Sequence, residues 1–391
     1  MKDAVILSAT RTAVGSFNGM FSRIPAIQLG GAVIKNAVTK AAIDVNDVDE
    51  VIMGMVLQGG MGQAPARQAA KKAGIPDSKS AWTINKDCSS GLKAVMEAAG
   101  SIMIGENDVV VAGGMENMSQ APYLLPKARN GYRYGHGAVV DLMMHDGLWD
   151  PYDNQHMGDC AEVCAEENNI TREQQDEFAI ESYKRANKAI ENGLFKEEIV
   201  PLTMPTKKAD SIIDTDEEPG RGRPDKMTKL RPAFKRDGTI TAANASSIND
   251  GAAAVVVADP EWAEKNGKKP LAKIVGWSTF SQEPVYFTTA PQGAIKKLLE
   301  KVNWKIEDVD FFEINEAFSV VSIYNNNALG LDGSNVNVRG GAVAIGHPIG
   351  ASGARVLVSL IHILKQEGKK KGIVSLCNGG GEATAMAIEM L

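Results

Sequence analysis

The sequence predicts a duplicated α/β fold, on three observations. Ile34–Asp49, IKNAVTKAAIDVNDVD, is echoed by Ile295–Asp310, IKKLLEKVNWKIEDVD, at an offset of 261, and each segment runs into an apolar stretch. Ser90-Gly91-Leu92-Lys93 is echoed by Ser352-Gly353-Ala354-Arg355 at 262, and Val109–Gly114 by Val374–Gly379 at 265. Echoes this far apart are too long for solenoid units, so they report a repeated domain. Between them, Val- and Ile-rich runs alternate with helical periodicity, the pattern of sheets covered by helices.

In chain order, Ala4–Leu7 reads as a first strand, since its apolar run is far too short for a signal-peptide core. An apolar run before Asn85 and the helical stretch Leu92–Ile104 place Asn85–Gly91 at a strand-to-helix turn. Ser119–Ala243 has a different character, with a turn at Trp149-Asp150-Pro151 and a helix over Thr171–Asn192. Thr171 with Glu173 and Gln174 is a capping signal, and Gly193 is a stop. Asp216–Asp237, punctuated by Pro and Gly and rich in Arg and Lys, reads as loop: a phosphate-binding surface or simply a solvated face. Gly372–Leu376 is a late strand that ends at Cys377.

The 391 residues suffice for two or three domains, and 44% apolar with 23% charged residues is ordinary for a globular chain. A net charge of −6 argues against nucleic acid as a partner. No apolar run approaches the roughly 20 residues that span a bilayer, so no membrane partner and a cytoplasmic location are expected. Four cysteines without paired spacing read as free thiols, with Cys160 and Cys164 as packing residues on a helix.

Chemistry concentrates in three segments. Cys88, in Asn85-Lys86-Asp87-Cys88-Ser89-Ser90-Gly91, stands at a helix start, where exposed amides favour a thiolate. His347 lies in Gly346-His347-Pro348, and Cys377 in Cys377-Asn378-Gly379-Gly380-Gly381. The glycines fit neither a dinucleotide fingerprint nor a phosphate loop.

With Gly113-Gly114-Met115-Glu116-Asn117-Met118-Ser119, Asn315-Glu316-Ala317-Phe318 and Gly346–Gly353, these motifs resemble the thiolase family in order and over essentially the whole chain. The resemblance implies a duplicated thiolase fold, two α-β-α-β-α layered halves with an inserted loop domain. Residues 1–118 plus 244–268 would form the first half, 119–243 the loop domain that binds CoA, and 269–391 the second half. It implies Cys88 as the acylated nucleophile, His347 as its base and Cys377 as the acid/base toward the second substrate. Asn315, through a water, and His347 would form one oxyanion site; the amides of Cys88 and Gly379 would form the other. This suits the chemistry: a thiolate attacks thioesters, and a second thiol with a lowered pKa handles the α-proton of acetyl-CoA.

His156-Met157-Gly158 resembles the pantetheine loop of short-chain members, where the methionine limits the acyl pocket. Leu148, Ser246, Ala317 and Phe318 match positions lining the family's CoA pocket. The chain departs from the pattern at Ala243, Ser247, Asn378, Glu382 and Phe287-Thr288-Thr289-Ala290-Pro291. Pro219 replaces an adenine-side arginine, with Arg221 or Arg223 as substitutes.

The implied activity is acetyl-CoA C-acetyltransfer, interconverting two acetyl-CoA with acetoacetyl-CoA and CoA, in a homodimer or homotetramer. Neither cofactor nor metal is required, since the CoA thioesters are substrates. The alternatives are a degradative 3-ketoacyl-CoA thiolase of broader chain length, a decarboxylating ketosynthase, against which Cys377 tells, and a silent acyl-CoA-binding subunit.

Overall fold

In the computed structural model, residues 2–204 and 210–391 are described. Strands β1 (Val5–Arg11), β2 (Glu50–Gly54), β3 (Ser80–Ile84), β4 (Val109–Asn117) and β5 (Asn249–Ala258) form one array in the order β3-β2-β4-β5-β1. Pairing within it is parallel from β3 to β4 and antiparallel from β4 to β1. Strands β6 (Ala272–Ser281), β7 (Phe311–Ile314), β8 (Lys371–Asn378) and β9 (Glu382–Met390) repeat the arrangement as β7-β8-β9-β6, parallel and then antiparallel. A parallel bridge from Phe312 to Val336 takes the place that β3 holds beside β2. The arrays meet where β1 and β6 pair antiparallel at Val5–Lys273 and Ile6–Ala272; with the two-residue strand Gly15–Ser16 paired to β5, they join into one ten-stranded sheet.

The echoed segments occupy equivalent places. Helix α1 (Ala26–Lys40) buries Leu29, Val33, Ile34 and Ala37, and its counterpart after the central layer buries Ala294, Ile295, Leu298 and Leu299. Each covers the outer face of its own array. Strand alternation sorts the core accordingly: on β5, Ala254, Val256 and Ala258 join the cluster under α1, whereas Ala253, Val255 and Val257 face the centre. The centre holds helix α2 (Ser90–Met103) and a long helix over Ile349–Glu367, whose residues from Ile349 to Leu364 are all buried. A helix buried on every side belongs between the two strand arrays. The result is five layers, α-β-α-β-α.

The echoed Ser-Gly pairs meet each other in the central layer. A Cβ on Gly353 would stand 2.3 Å from the Leu92 amide nitrogen, and one on Gly91 would stand 2.8 Å from that of Ala354. Only glycine permits this approach, which brings together the starts of the two helices.

The inserted segment supplies helix α3 (Met157–Glu167) and helix α4 (Arg172–Glu191). Thr171 and Gln174 close the capping box that the sequence signals: the Gln174 amide donates to Thr171 Oγ1 (3.3 Å), and the Thr171 amide to Gln174 Oε1 (2.8 Å). Trp149-Asp150 pairs with Gln155-His156 as a small hairpin. Asp216–Asp237 is mostly irregular but contains short helical turns at Pro219–Arg221 and Pro224–Met227. Arg11, fully buried on β1, ties the insertion down, donating to Glu198 (2.6 Å) and bidentately to Asp216 (2.7 and 2.8 Å).

Candidate active site

Cys88 stands in the turn between β3 and α2. The turn is tight: the Ser90 hydroxyl donates to the Asp87 carbonyl (2.6 Å) and accepts from the Lys86 amide (2.8 Å), while Asp87 adopts a left-handed φ of 44°. Ser89 donates to Asn378 Oδ1 (2.8 Å) and accepts from Thr384 Oγ1 (2.9 Å), linking the turn to β8 and β9. Asn378 is therefore the acceptor that anchors Ser89, the neighbour of Cys88. Cys88 is half-buried and packs against Val56, Leu57, Leu142, Met143, Leu148 and Ile349.

His347 enters from the second half, on the turn before the Ile349–Glu367 helix. Gly346 takes φ +110°, and a Cβ there would stand 2.4 Å from the Asn249 side chain, whose Oδ1 accepts the His347 amide (2.8 Å). Ser352 donates its single hydroxyl proton to the Pro348 carbonyl (2.9 Å) and lies 2.6 Å from His347 Nδ1. Since that proton is committed, the network assigns Nδ1–H as donor to Ser352 and leaves Nε2 as the free base. Asn315 Nδ2 is 3.4 Å from Nε2, and Asn315 Oδ1 is buried with no protein partner among the described residues. Glu116 fixes the neighbourhood by accepting the amides of Val56 (2.9 Å), Leu57 (3.2 Å) and Gly350 (2.9 Å).

Cys377, the penultimate residue of β8, is wholly buried among Cys164, Ala245, Phe287, Ala317 and Phe318. Burial dominates the electrostatics of all three reacting groups. It pushes the Cys88 thiol well up, with Cys377 and Asp87 adding in the same direction, and pushes Cys377 up to about 12. It lowers His347 to about 3, helped by the Arg355 guanidinium. Burial thus acts on both thiols in the direction opposite to the lowering expected from the sequence. Desolvation opposes the helix-start field and favours neutral thiols and a neutral imidazole in the free site.

The residues named for CoA divide. Leu148 and Met157 are joined by a Met157 amide to Leu148 carbonyl bond (3.0 Å). Ser246 donates through both its amide (3.0 Å) and its hydroxyl (2.8 Å) to the Ala317 carbonyl, and Ala245 bridges Phe318. Phe318 sits edge-on to Phe234 and Phe287. His156 caps α3: its Nδ1 accepts the Gly158 amide (3.0 Å), and its ring stacks near Phe234. Arg221 is not brought to this group; it is exposed and faces Glu217 (3.8 Å) and Glu218 (3.9 Å). A cleft of about 430 Å³ opens beside the nucleophile, lined by Lys86, Asp87, Trp149, Met157, Gly379 and Glu382, among others.

Ser352, Asn249 and the clamp by Glu116 carried no role in the sequence reading. The one available signal was their position inside or beside the quoted motifs.

Comparison with known proteins agrees with this geometry. The model of the thiolase N-terminal domain matches residues 4–261, and that of the thiolase C-terminal domain matches 268–390. This chain belongs to the thiolase family. Acetyl-CoA acetyltransferase of Cupriavidus necator is 51% identical over 391 residues, with 100% of both chains covered. Acetyl-CoA acetyltransferase 2 of Arabidopsis thaliana is 50% identical, covering 100% of this chain and 98% of its own. Among solved structures, the acetyl-CoA acetyltransferase of Bacillus anthracis superposes with a TM-score of 0.98 at 44% identity, covering 100% of this thiolase and 99% of its own chain. A thiolase of Ascaris suum in complex with coenzyme A gives 0.95 at 44% identity, with 100% of both chains covered.

Proposed function

We propose that this thiolase is an acetyl-CoA C-acetyltransferase, which interconverts two acetyl-CoA with acetoacetyl-CoA and CoA through an acetyl-Cys88 intermediate. The observation that carries the mechanism is the relay Ser352–His347–Asn315, which leaves Nε2 unprotonated in a buried site and contacted only by the Asn315 amide among the described residues. The full-length relatives with the acetyl-CoA acetyltransferase name support the substrate class.

In the degradative direction, Cys88 Sγ attacks the 3-keto carbon of acetoacetyl-CoA while its proton passes to His347 Nε2. The amides of Cys88 and Gly379 hold the tetrahedral oxyanion. The carbon–carbon bond breaks and the enolate of acetyl-CoA leaves. Protonated Nε2 is then a donor, and with Asn315 and a water it holds the enolate oxygen. Cys377 protonates the enolate carbon. CoA then gives its thiol proton to the Cys377 thiolate and attacks the acetyl carbon, and the departing Cys88 thiolate takes its proton back from His347 Nε2. Condensation retraces these steps. Two neutral thiols suit this scheme, because each proton has a stated destination. Oxyanion donors of this kind each carry roughly 100–1000-fold in rate.

Met157 and the buried rings of Phe287 and Phe318 support a short acyl group. Leu148, Ser246, Ala317 and Phe318 are assigned to the CoA wall, with His156 as the cap that sets Met157. We assign no cofactor and no metal. The three-part division at 118, 243 and 268 is kept as the domain reading.

A homo-oligomer is part of this proposal. Strand β3 is an open sheet edge, and Trp82 on it is 37% exposed. Among the described residues no helix is long and apolar enough to cross a membrane. Four free cysteines support a reducing, cytoplasmic setting. CoA-dependent loss of acetoacetyl-CoA absorbance, abolished in Cys88→Ser, tests the activity. Turnover that survives in the variant refutes the mechanism.

A further inference from the structure

Asp87 has no part in the mechanism above, yet its carboxyl is held in the site. It precedes the nucleophile, holds a left-handed φ of 44°, and is half-buried in the wall of the cleft. None of the described residues donates a hydrogen bond to its carboxylate, although its own amide donates to Asn85 Oδ1 (3.0 Å). Its Oδ2 occupies the space beside Gly379, 3.0 Å from where a Cβ there would stand. The carboxyl therefore borders Cys88 along the chain and Gly379 across the site. Those residues carry the two amides assigned to the oxyanion.

We propose that the Asp87 carboxyl is a proton-controlled brake on Cys88. Ionised, it opposes both the Cys88 thiolate and the oxyanion; protonated, it releases them. The assignment of the oxyanion rests on the acetyltransferase reading, whereas the effect on the thiol does not. No bond is made or broken in this control. One proton leaves the carboxyl to solvent as the brake engages, and one returns as it disengages.

The surrounding groups permit such switching. Lys86 is the nearest cation, but it is paired to Glu382, a second carboxylate on the same rim. His145 and Asp146 line the cleft from the inserted segment, also paired to each other (2.6 Å), and Tyr152 adds a phenol. Cys377 and the amide-bound Glu116 also bear on the Cys88 thiol. Burial, with Glu382 beside it, pushes Asp87 up to about 6 against the pull of Lys86, so its charge changes within the range in which enzymes work. An αL position by itself accepts Asp readily, so the backbone alone would also explain the residue. Asparagine and glycine share that tolerance without the charge, which makes them the decisive replacements.

The experiment is the rate of iodoacetamide alkylation of Cys88 against pH, read by peptide mass mapping, in wild type, Asp87→Asn and Asp87→Gly, with acetoacetyl-CoA turnover measured alongside. A like charge at this range shifts the thiol by about one pKa unit, so both variants should react about tenfold faster at neutral pH. That ratio should fall toward one below about pH 6, where wild-type Asp87 is protonated. The wild-type profile alone should bend near that pH. A ratio of one throughout, or an elevated ratio that does not vary with pH, overturns the proposal, as does a wild-type profile without the bend. If a variant fails to fold, the other variant and the wild-type profile still decide. Absence of wild-type turnover would instead sink the acetyltransferase reading and leave the alkylation result to stand by itself.

Discussion

Replacing Ser352 by alanine removes the acceptor that fixes the tautomer of His347. The bond is 2.6 Å long and Ser352 is fully buried. Nothing replaces the lost oxygen, so either Nδ1–H stays buried and unpaired or the proton moves to Nε2 and the base is lost. An unpaired buried donor costs about 1–3 kcal/mol. Where that cost falls on the reacting state, it is roughly 5- to 150-fold in rate, and outer partners of functional histidines typically carry about 10–100-fold. The Ser352→Ala thiolase should therefore lose between ten- and a hundredfold, roughly, in kcat/KM for acetoacetyl-CoA thiolysis, and most of it in kcat. Its thermal midpoint should move little, because one side-chain oxygen is removed from an otherwise intact helix. The reasoning fails if kcat/KM stays within about twofold of wild type, or if the loss lies wholly in KM.

Other perturbations separate the remaining parts of the account. Met157→Ala should widen the acyl pocket and raise the kcat/KM ratio of 3-ketohexanoyl-CoA to acetoacetyl-CoA by about tenfold, since a few methylenes of space are worth about 1–3 kcal/mol; a chain-length series reads it, and an unchanged ratio clears Met157 of that role. Arg11→Met leaves Glu198 and Asp216 buried without their cation, so urea unfolding should show a loss of about 3–5 kcal/mol. Glu313 is buried 4.0 Å from Arg355, and burial pushes it up to about 8. Its folded pKa lies above its unfolded value, so its contribution to stability is fully present below the ordinary value of 4.5 and is lost as pH rises from there to about 8. Glu313→Gln should accordingly flatten the fall in thermal midpoint between about pH 4.5 and about pH 8, and an unchanged slope there would contradict the assignment.

Much of the fold is legible in the sequence because duplication leaves a one-dimensional trace. The matching helices Ala26–Lys40 and Ala290–Val302, and the Gly91–Gly353 approach, lie where the collinear echoes place them. Motif order likewise places Cys88, His347, Cys377 and Asn315 at the ends of strands and starts of helices. What sequence could not carry is desolvation. The reversal of the Cys88 and Cys377 pKa shifts depends on Phe287, Phe318, Leu148 and Ile349 closing over the thiols from segments far apart in the chain. Local spacing also could not show that the imidazole of His156 is spent on a helix cap, or that Arg221 turns to its own neighbours Glu217 and Glu218.

The central claim is a covalent acetyl group on Cys88, made by a neutral thiol that yields its proton to His347. Its most direct test is to mix the thiolase with acetyl-CoA, quench in acid and map peptides by mass. One acetyl increment on the peptide that carries Cys88, absent in Cys88→Ser and much slower to form in His347→Asn, is the predicted result. Turnover with Cys88 unmodified, or an acetyl group found on Cys377 instead, would contradict it.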